Sequence, residues 1–480
     1  MADMKTAALP HRHHLLTVAI IGGGFTGAAV AYHLARCPAV DHAAILVFEP
    51  RDALGKGLAY DTADPAHRIN VPATRMSIHP EDQEHFARWL DADGGPALDP
   101  EARRPDGSTF PRRGVFGDYV FSQLKPFLDA GRISHVRSRV AHVMRTAAGW
   151  QLEVEAGNRF TADILVIAAT HPAPRAPGSL STALRGHPRY IADATKPDAL
   201  DPLRPEDTVL VVGNGLTAAD VIASLGERGH VGKILAVSRR GLRSRGHTDV
   251  AQEPYGDFVS SPPQTAVDLL KAVRAAIRAA EADGLSWHAV LDQMRAQARS
   301  IWQGLTTVER RRLIRHLRVF WDVHRFRIAP QVEQVLDTAI ADGRLEIASG
   351  QILSARRDGE SIKVNIRRRG RAPQTLDFDA VVITTGPAHG GILRSQPWLS
   401  ELAEAGRLTM DPTGLGLACN QKGEALNIEG DAQPDLLIAG PLARGVFGEL
   451  MGLPQVSEYA KAIAERVTET ILAATKTQTR

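Results

Sequence analysis

The sequence predicts an α/β protein with two Rossmann-like units and a helical insertion in the second. Three observations predict it. The stretch Val18–Ala35, VAIIGGGFTGAAVAYHLA, places a glycine cluster between a β-rich run and a helix-like run. The pattern recurs at 207–225, DTVLVVGNGLTAADVIASL. Residues 262–345 then change character: apolar residues fall at helical spacing behind capping signatures.

The first stretch is uncharged and long enough for a short membrane span, but Gly22, Gly23, Gly24 and Gly27 interrupt it. A helix running through them would lose about 1 kcal/mol per glycine relative to alanine. A strand at Thr17–Ile21, a tight turn and a helix over Ala28–Ala35 use the same residues well. The next strand, AAILVFEP, ends at Glu49, 22 residues beyond Gly27. Strand, Gly-x-Gly-x-x-Gly, helix, strand and acid in this order form the dinucleotide fingerprint. Gly22 makes the turn, Gly24 lets a pyrophosphate approach the backbone, and Gly27 lets the helix pack on the strand. With Phe25 and Thr26 they open the helix, whose N-terminal N–H groups attract phosphate. Glu49 accepts from a ribose.

The second cradle has a strand at Thr208–Val212, then Gly213-x-Gly215-x-x-Ala218, where alanine is an accepted third residue. Its following strand ends at Ser238, and the acid is missing: Ser238, Arg239 and Arg240 stand there. Arginine pairs with a 2′-phosphate that a carboxylate would repel. FAD at the first cradle and NADPH at the second is the economical assignment.

The chain has 480 residues, 44% hydrophobic and 23% charged, enough for two or three domains. A net charge of +3 gives no reason to expect nucleic acid or an anionic membrane as a partner, and the runs Arg310–Arg312 and Arg367–Arg371 read as solvated faces. Two distant cysteines, Cys37 and Cys419, exclude a disulfide framework and a CxxC redox pair, and no metal-ligand cluster is visible. The N-terminal MADMKTAALPHRHHLL lacks a signal-peptide pattern and no other long apolar run exists, so the expected location is cytoplasmic.

Between the cradles, alternating strands end in Asp163–Thr170, and a similar passage ends in Asp379–Pro387, which reads as an internal repeat at domain scale. Thr265-x-x-Asp268 and Thr306-x-x-Glu309 are capping boxes of the insert. LLIAGP reads as a strand, and Val456–Ala474 as a closing helix.

These features resemble the flavoproteins with two dinucleotide-binding domains and, more closely, the bacterial FAD-NAD(P)-binding family. The resemblance is carried by Gly22–Gly27, GKGLAYDTADPAHRINVPATRMS at 55–77, RRGVFGDY at 112–119, WDVHRFRIAP at 321–330 and GPLARGVFGE at 440–449. It implies a split FAD domain, 15–180 and 376–480, with an NADPH domain at 181–375 carrying the insert 262–345. This sequence departs from the pattern at His171, where a glycine is usual, and at Pro441, where an acid is usual after Gly440. The FxGxxxHxxxW stretch of Baeyer–Villiger enzymes is absent. N-hydroxylating monooxygenases share the architecture. The resemblance implies a monooxygenase that hydroxylates nitrogen or sulfur of a small molecule with oxygen, through a flavin hydroperoxide. A reductase serving a quinone or protein acceptor and a non-turning-over FAD-binding redox sensor are the alternatives. Two features favour the monooxygenase: no dithiol or metal-ligand cluster offers an onward electron route, and the helical insert 262–345 is expected to cover the flavin and exclude water.

In the loop 55–77, Gly55 and Gly57 permit close backbone approach, and Tyr60, Asn70 and Arg75 offer hydrogen bonds to flavin or phosphate. Arg113 is either a phosphate contact or a surface ion pair. Arg318, Asp322 and Arg325 share one helical face. That pattern gives a surface salt bridge over a core Trp321; alternatively His324, Arg325 and Arg327 hold an anion near the flavin. His324 and Arg325 are therefore the catalytic candidates, ahead of the lone His171 and His247.

Overall fold

The computed structural model describes residues 16–41, 43–92, 99–386 and 389–478. Most of the N-terminal stretch, the expected domain start at 15, Pro387 and the chain's last two residues lie outside these.

In chain order the elements that matter are β1 (Thr17–Ile21), α1 (Phe25–Ala35), β2 (Ala44–Phe48), β3 (Ile164–Ile167), β4 (Val209–Val212), α2 (Leu216–Glu227), β5 (Ile234–Ser238), α3 (Arg318–Arg325), β6 (Leu345–Asp358), β7 (Ala380–Ile383), β8 (Ala432–Ile438) and α4 (Gln455–Gln478). The first helix starts three residues earlier than the sequence suggests, because Gly24 takes the N-cap position with extended backbone.

Two sheets result. One runs Glu424–Leu426, β8, β3, β1, β2, Ile133–Val136; the other runs Gln374–Phe378, Ser361–Arg368, β6, β5, β4, β7, Tyr190–Ile191. β1, β2, β3 and β8 are mutually parallel, as are β4, β5, β6 and β7. Their central strands are apolar at nearly every position and buried on both faces, as helix-covered parallel sheets require. A separate antiparallel meander, Val140–Thr146, Gly149–Val154 and Arg159–Ala162, precedes β3.

Sheet membership corrects the expected bounds. β7 pairs with β4 inside the second sheet, so the chain returns to the first unit after Ile383 rather than at 376. In sequence β7 looks like β3, which lies in the first sheet, and only strand pairing separates them. The helix Gly178–Ala183 also packs on the second sheet, with Leu180 buried among Leu210, Val381 and Ile383, so that unit begins before 181. β8 and α4 complete the first unit, which is therefore split in sequence.

The insert lies in the crossover from β5 to β6. At both signatures the threonine caps its helix: Thr265 accepts from the Asp268 N–H and Thr306 from the Glu309 N–H, while the Glu309 carboxylate accepts from the Ala266 N–H of the neighbouring helix. Five helices from Ala266 to Arg325 surround their own core of Phe258, Leu269, Val290 and Ile301. The final helix, Pro330–Ala341, is not part of this body: it packs on α2 through Val332, Leu336 and Ala339 as the ordinary crossover helix. The expected 262–345 thus joins two structures whose periodicity is the same.

Candidate functional site

At the first cradle the chain leaves β1 through Gly22 at φ +102°, a left-handed conformation that favours glycine. A side chain there would stand 2.5 Å from the Ala168 carbonyl oxygen. The first helical hydrogen bond is Ala28 N–H to Gly24 O, which leaves the N–H groups of Phe25, Thr26 and Gly27 without helical partners, and no side chain caps them. Gly27 packs against the Gly22 carbonyl, so its role is helix–strand contact, as expected. Gly24 and Gly57 cross so closely that a Cβ on Gly57 would lie 2.7 Å from the Gly24 Cα.

Glu49 is buried after β2. One carboxylate oxygen accepts from Gly23 N–H at 3.0 Å; the other accepts from Arg51, from its backbone at 3.2 Å and its guanidinium at 3.0 Å. The sequence reading assigned nothing to Gly23 or Arg51. The middle glycine of the run, outside the Gly-x-Gly-x-x-Gly positions, was the available signal: a Cβ on Gly23 would stand 2.6 Å from that of Glu49.

A cleft of about 880 Å³ opens from this cradle. Its lining includes Gly22, Gly24, Phe25, Thr26, Glu49, Gly57 and Tyr60 from the first unit, Thr170, His171 and Pro441, and Asp220 and Ser224 of α2. Burial pushes the Tyr60 hydroxyl up to about 12, and its ring meets Phe116 edge-on at 4.7 Å. Tyr60 is therefore a neutral wall of the cleft. Burial, with Arg444 and Arg318 nearby, lowers His171 to about 4. Gly440 sits at φ +68° against Thr26, so the turn after β8 closes on the start of α1.

Several expected contacts are engaged elsewhere. Asn70 donates to the Arg327 carbonyl at 3.3 Å and accepts from His247 at 3.1 Å, tying the loop to the insert. Arg75 is exposed and does not line the cleft. Arg113 lines it, but its guanidinium pairs with Asp220 at 2.8 Å and donates to the Arg68 carbonyl at 2.9 Å: the ion-pair reading wins, and the pair spans the two units.

His324 and Arg325 also lie outside the cleft lining. His324 bonds the Phe320 carbonyl and meets Trp287 edge-on at 4.7 Å. Arg325 is buried and pairs with Glu449 at 2.8 Å. Arg318 bonds Asp322 at 3.2 Å, as the spacing suggests, but Asp322 turns from Arg325 toward Arg444, 4.0 Å away. Arg327 pairs with Asp292 at 3.0 Å. The insert does not line the cleft: it buttresses the wall at 451–453 from behind, where Arg295 bonds the Leu453 carbonyl and Trp302 donates to Gly445 O at 2.8 Å. Arg295 and Arg325 are engaged by the 449–455 segment, whereas Arg318 and Arg327 are paired within the insert, with Asp322 and Asp292.

The second cradle repeats the first. Gly213 leaves β4 at φ +125°, and a Cβ would stand 2.6 Å from the Thr384 carbonyl oxygen. Gly215 is the N-cap of α2, faces open space and is solvent-exposed, and Ala218 is buried beneath it. Ser238 Oγ accepts from Asn214 at 3.1 Å and from Gly241 N–H at 3.0 Å. Arg239 and Arg240 are exposed, and among the described residues no carboxylate lies within 4 Å of either. Cys419 is buried, with its thiol pushed up to about 12, and Cys37 is half-buried. No described helix is long and apolar enough to cross a membrane.

Fold and site define the architecture of flavoproteins with two dinucleotide-binding domains. Residues 19–172 match the model of a family described as FAD-NAD(P)-binding. Among solved structures the chain is similar to ornithine hydroxylase from Pseudomonas aeruginosa in its reduced form, at 15% identity and TM-score 0.64, covering 95% of this chain and 100% of that one. L-lysine 6-monooxygenase from Pseudomonas syringae shares 19% identity at TM-score 0.63, covering 95% and 99%. The FAD-bound cadaverine monooxygenase of Erwinia amylovora shares 11% at 0.62, covering 94% of each. No curated protein sequence matches.

Proposed function

We propose that the chain is an FAD-dependent, NADPH-using oxidoreductase, and that it hydroxylates a nitrogen or sulfur of a small molecule with oxygen. The observation that carries the cofactor assignment is the contrast between the cradles: a buried carboxylate, Glu49, follows the first, and two exposed arginines with no carboxylate partner among the described residues, Arg239 and Arg240, follow the second. The residues fit FAD at the first: unpaired helix N–H groups face a cleft of dinucleotide size, and Glu49 stands where a ribose hydroxyl can donate. FAD supplies the redox chemistry, accepting hydride and activating oxygen, and the protein supplies position and surroundings.

Within that reading Glu49 orients the ribose and the α1 N-terminus holds pyrophosphate. Gly57 lets its own loop cross directly against Gly24 at the start of α1. Tyr60 and Phe116 exclude water without adding charge. His171, kept neutral by burial in the cleft lining, accepts a proton poorly near pH 7. Arg239 and Arg240 hold the 2′-phosphate of NADPH. The hydroxylase reading draws on the fold of the neighbours, which act on ornithine, lysine and cadaverine by their names, and fold alone does not fix a reaction.

The test is a panel of primary amines and thiols offered to the purified, FAD-loaded protein with NADPH and oxygen. Substrate-dependent formation of hydroxylamine or oxidised sulfur supports hydroxylation. Rapid NADPH oxidation sustained by a quinone without oxygen supports the reductase, and bound FAD with no turnover supports the sensor.

A further inference from the structure

The second cradle leaves its phosphate-reading arginines exposed, and one of them rests on the insert. Ser238, at the position of the missing acid, has its hydroxyl committed to Asn214 and Gly241. The turn that follows is anchored by its backbone: Ser349 donates to the Arg239 carbonyl at 3.1 Å. Arg240 extends from this turn over the ring of Phe320, 4.9 Å from its centroid. Phe320 lies on α3, which buries Val323 and Arg325, and is 42% exposed. Its carbonyl is bonded by His324, which itself packs on Trp287, so the backbone beneath the ring is fixed.

We infer that Phe320 is a positioning residue for 2′-phosphate recognition: the insert lends the second cradle an aromatic platform that holds the Arg240 guanidinium ready for the phosphate. A guanidinium is attracted to the ring face by the ring quadrupole. A side chain already ordered there loses less rotamer freedom on meeting the ligand. Among the described residues no carboxylate pairs with this guanidinium, and its turn is tied to the cradle through the Asn214–Ser238 hydrogen bond. The inference rests on the NADPH reading of this cradle and adds a residue that no cradle motif contains.

The test is calorimetric titration of the FAD-loaded protein with NADP+ and with NAD+, read as Kd. F320L keeps the bulk and removes the ring; F320W restores a ring. The inference expects F320L to weaken NADP+ about two- to fivefold, the scale of an exposed cation–π contact, with NAD+ unchanged and F320W close to wild type. Wild-type preference for NADP+ that persists undiminished in F320L, while R240A abolishes it, overturns the role of Phe320 and leaves the cofactor reading standing. Equal binding of the two nucleotides by wild type overturns the cofactor reading, and the inference with it.

Discussion

Thr17 and Asp163 are joined by a pair of hydrogen bonds: the Thr17 N–H donates to the Asp163 carboxylate at 2.7 Å, and the Asp163 N–H donates to the Thr17 carbonyl at 2.8 Å. Thr208 and Asp379 form the same pair at 2.8 and 2.9 Å. Each aspartate stands between the end of an antiparallel strand, Arg159–Ala162 or Gln374–Phe378, and the start of β3 or β7, and ties that start to the strand that delivers a glycine cradle. The internal repeat visible in the sequence therefore has an atomic basis. Replacing Asp163 by Ala removes the acceptor of a part-buried N–H and is expected to cost about 1–2 kcal/mol. On a domain of this size that lowers the melting temperature by several degrees, and Asp379→Ala should do the same. Thermal unfolding followed by far-UV circular dichroism checks both, and unchanged melting would remove the alignment role.

Arg325 and Glu449 give a larger effect. Both are buried, and each is the other's ion-pair partner at 2.8 Å. Glu449→Gln leaves a buried guanidinium without its counter-charge, a change expected to cost about 3–5 kcal/mol. The double replacement Arg325→Met, Glu449→Met should recover most of that loss. Denaturant midpoints for the three variants measure it; a mild Glu449→Gln effect with no recovery in the double variant would contradict the pairing.

Arg113 is committed to Asp220 of α2 and to the Arg68 carbonyl, so it joins the two units instead of holding phosphate. Arg113→Ala is expected to leave the flavin-to-protein ratio unchanged while hydrogen exchange in α2 quickens, with Asp220→Asn giving the same exchange pattern. Loss of FAD from Arg113→Ala alone would restore the phosphate contact.

Acid should destabilise the fold before the carboxylates titrate. Burial lowers His33, His79, His171 and His247 to about 4, against about 6.5 for an unfolded histidine. The unfolded chain therefore binds more protons between these values, so stability is full above pH ~6.5 and falls toward pH ~4. Denaturant midpoints taken across that window should decline, and His79→Gln should make the decline shallower. A midpoint flat from pH 7 to pH 5 would contradict the burial of these rings.

Both cradles were legible because each compresses a strand, a turn and a helix into one local pattern, with Gly22 and Gly213 at equivalent turns. The threonine caps at Thr265 and Thr306 were legible for the same reason. What sequence spacing does not encode is which distant group a side chain finds. Arg325 was read against Asp322, its neighbour on the helix, but pairs with Glu449, 124 residues away. Asn70 and Arg113, read as cofactor contacts, are spent on the insert and on α2. The domain bounds missed for a related reason: β3 and β7 look alike in sequence, and only pairing assigns one to each sheet.

The central claim is that the first cradle holds FAD and the second delivers electrons from NADPH. Anaerobic mixing of the FAD-loaded protein with NADPH or NADH, followed by the bleaching of flavin absorbance, tests it most directly. A charge-assisted contact of about 1.5–3 kcal/mol at Arg239 and Arg240 predicts that NADPH reduces the flavin roughly ten- to hundredfold more efficiently, and that the double alanine variant loses the advantage. Equal reduction by the two nucleotides, or a colourless protein that takes up no FAD on reconstitution, would contradict the account.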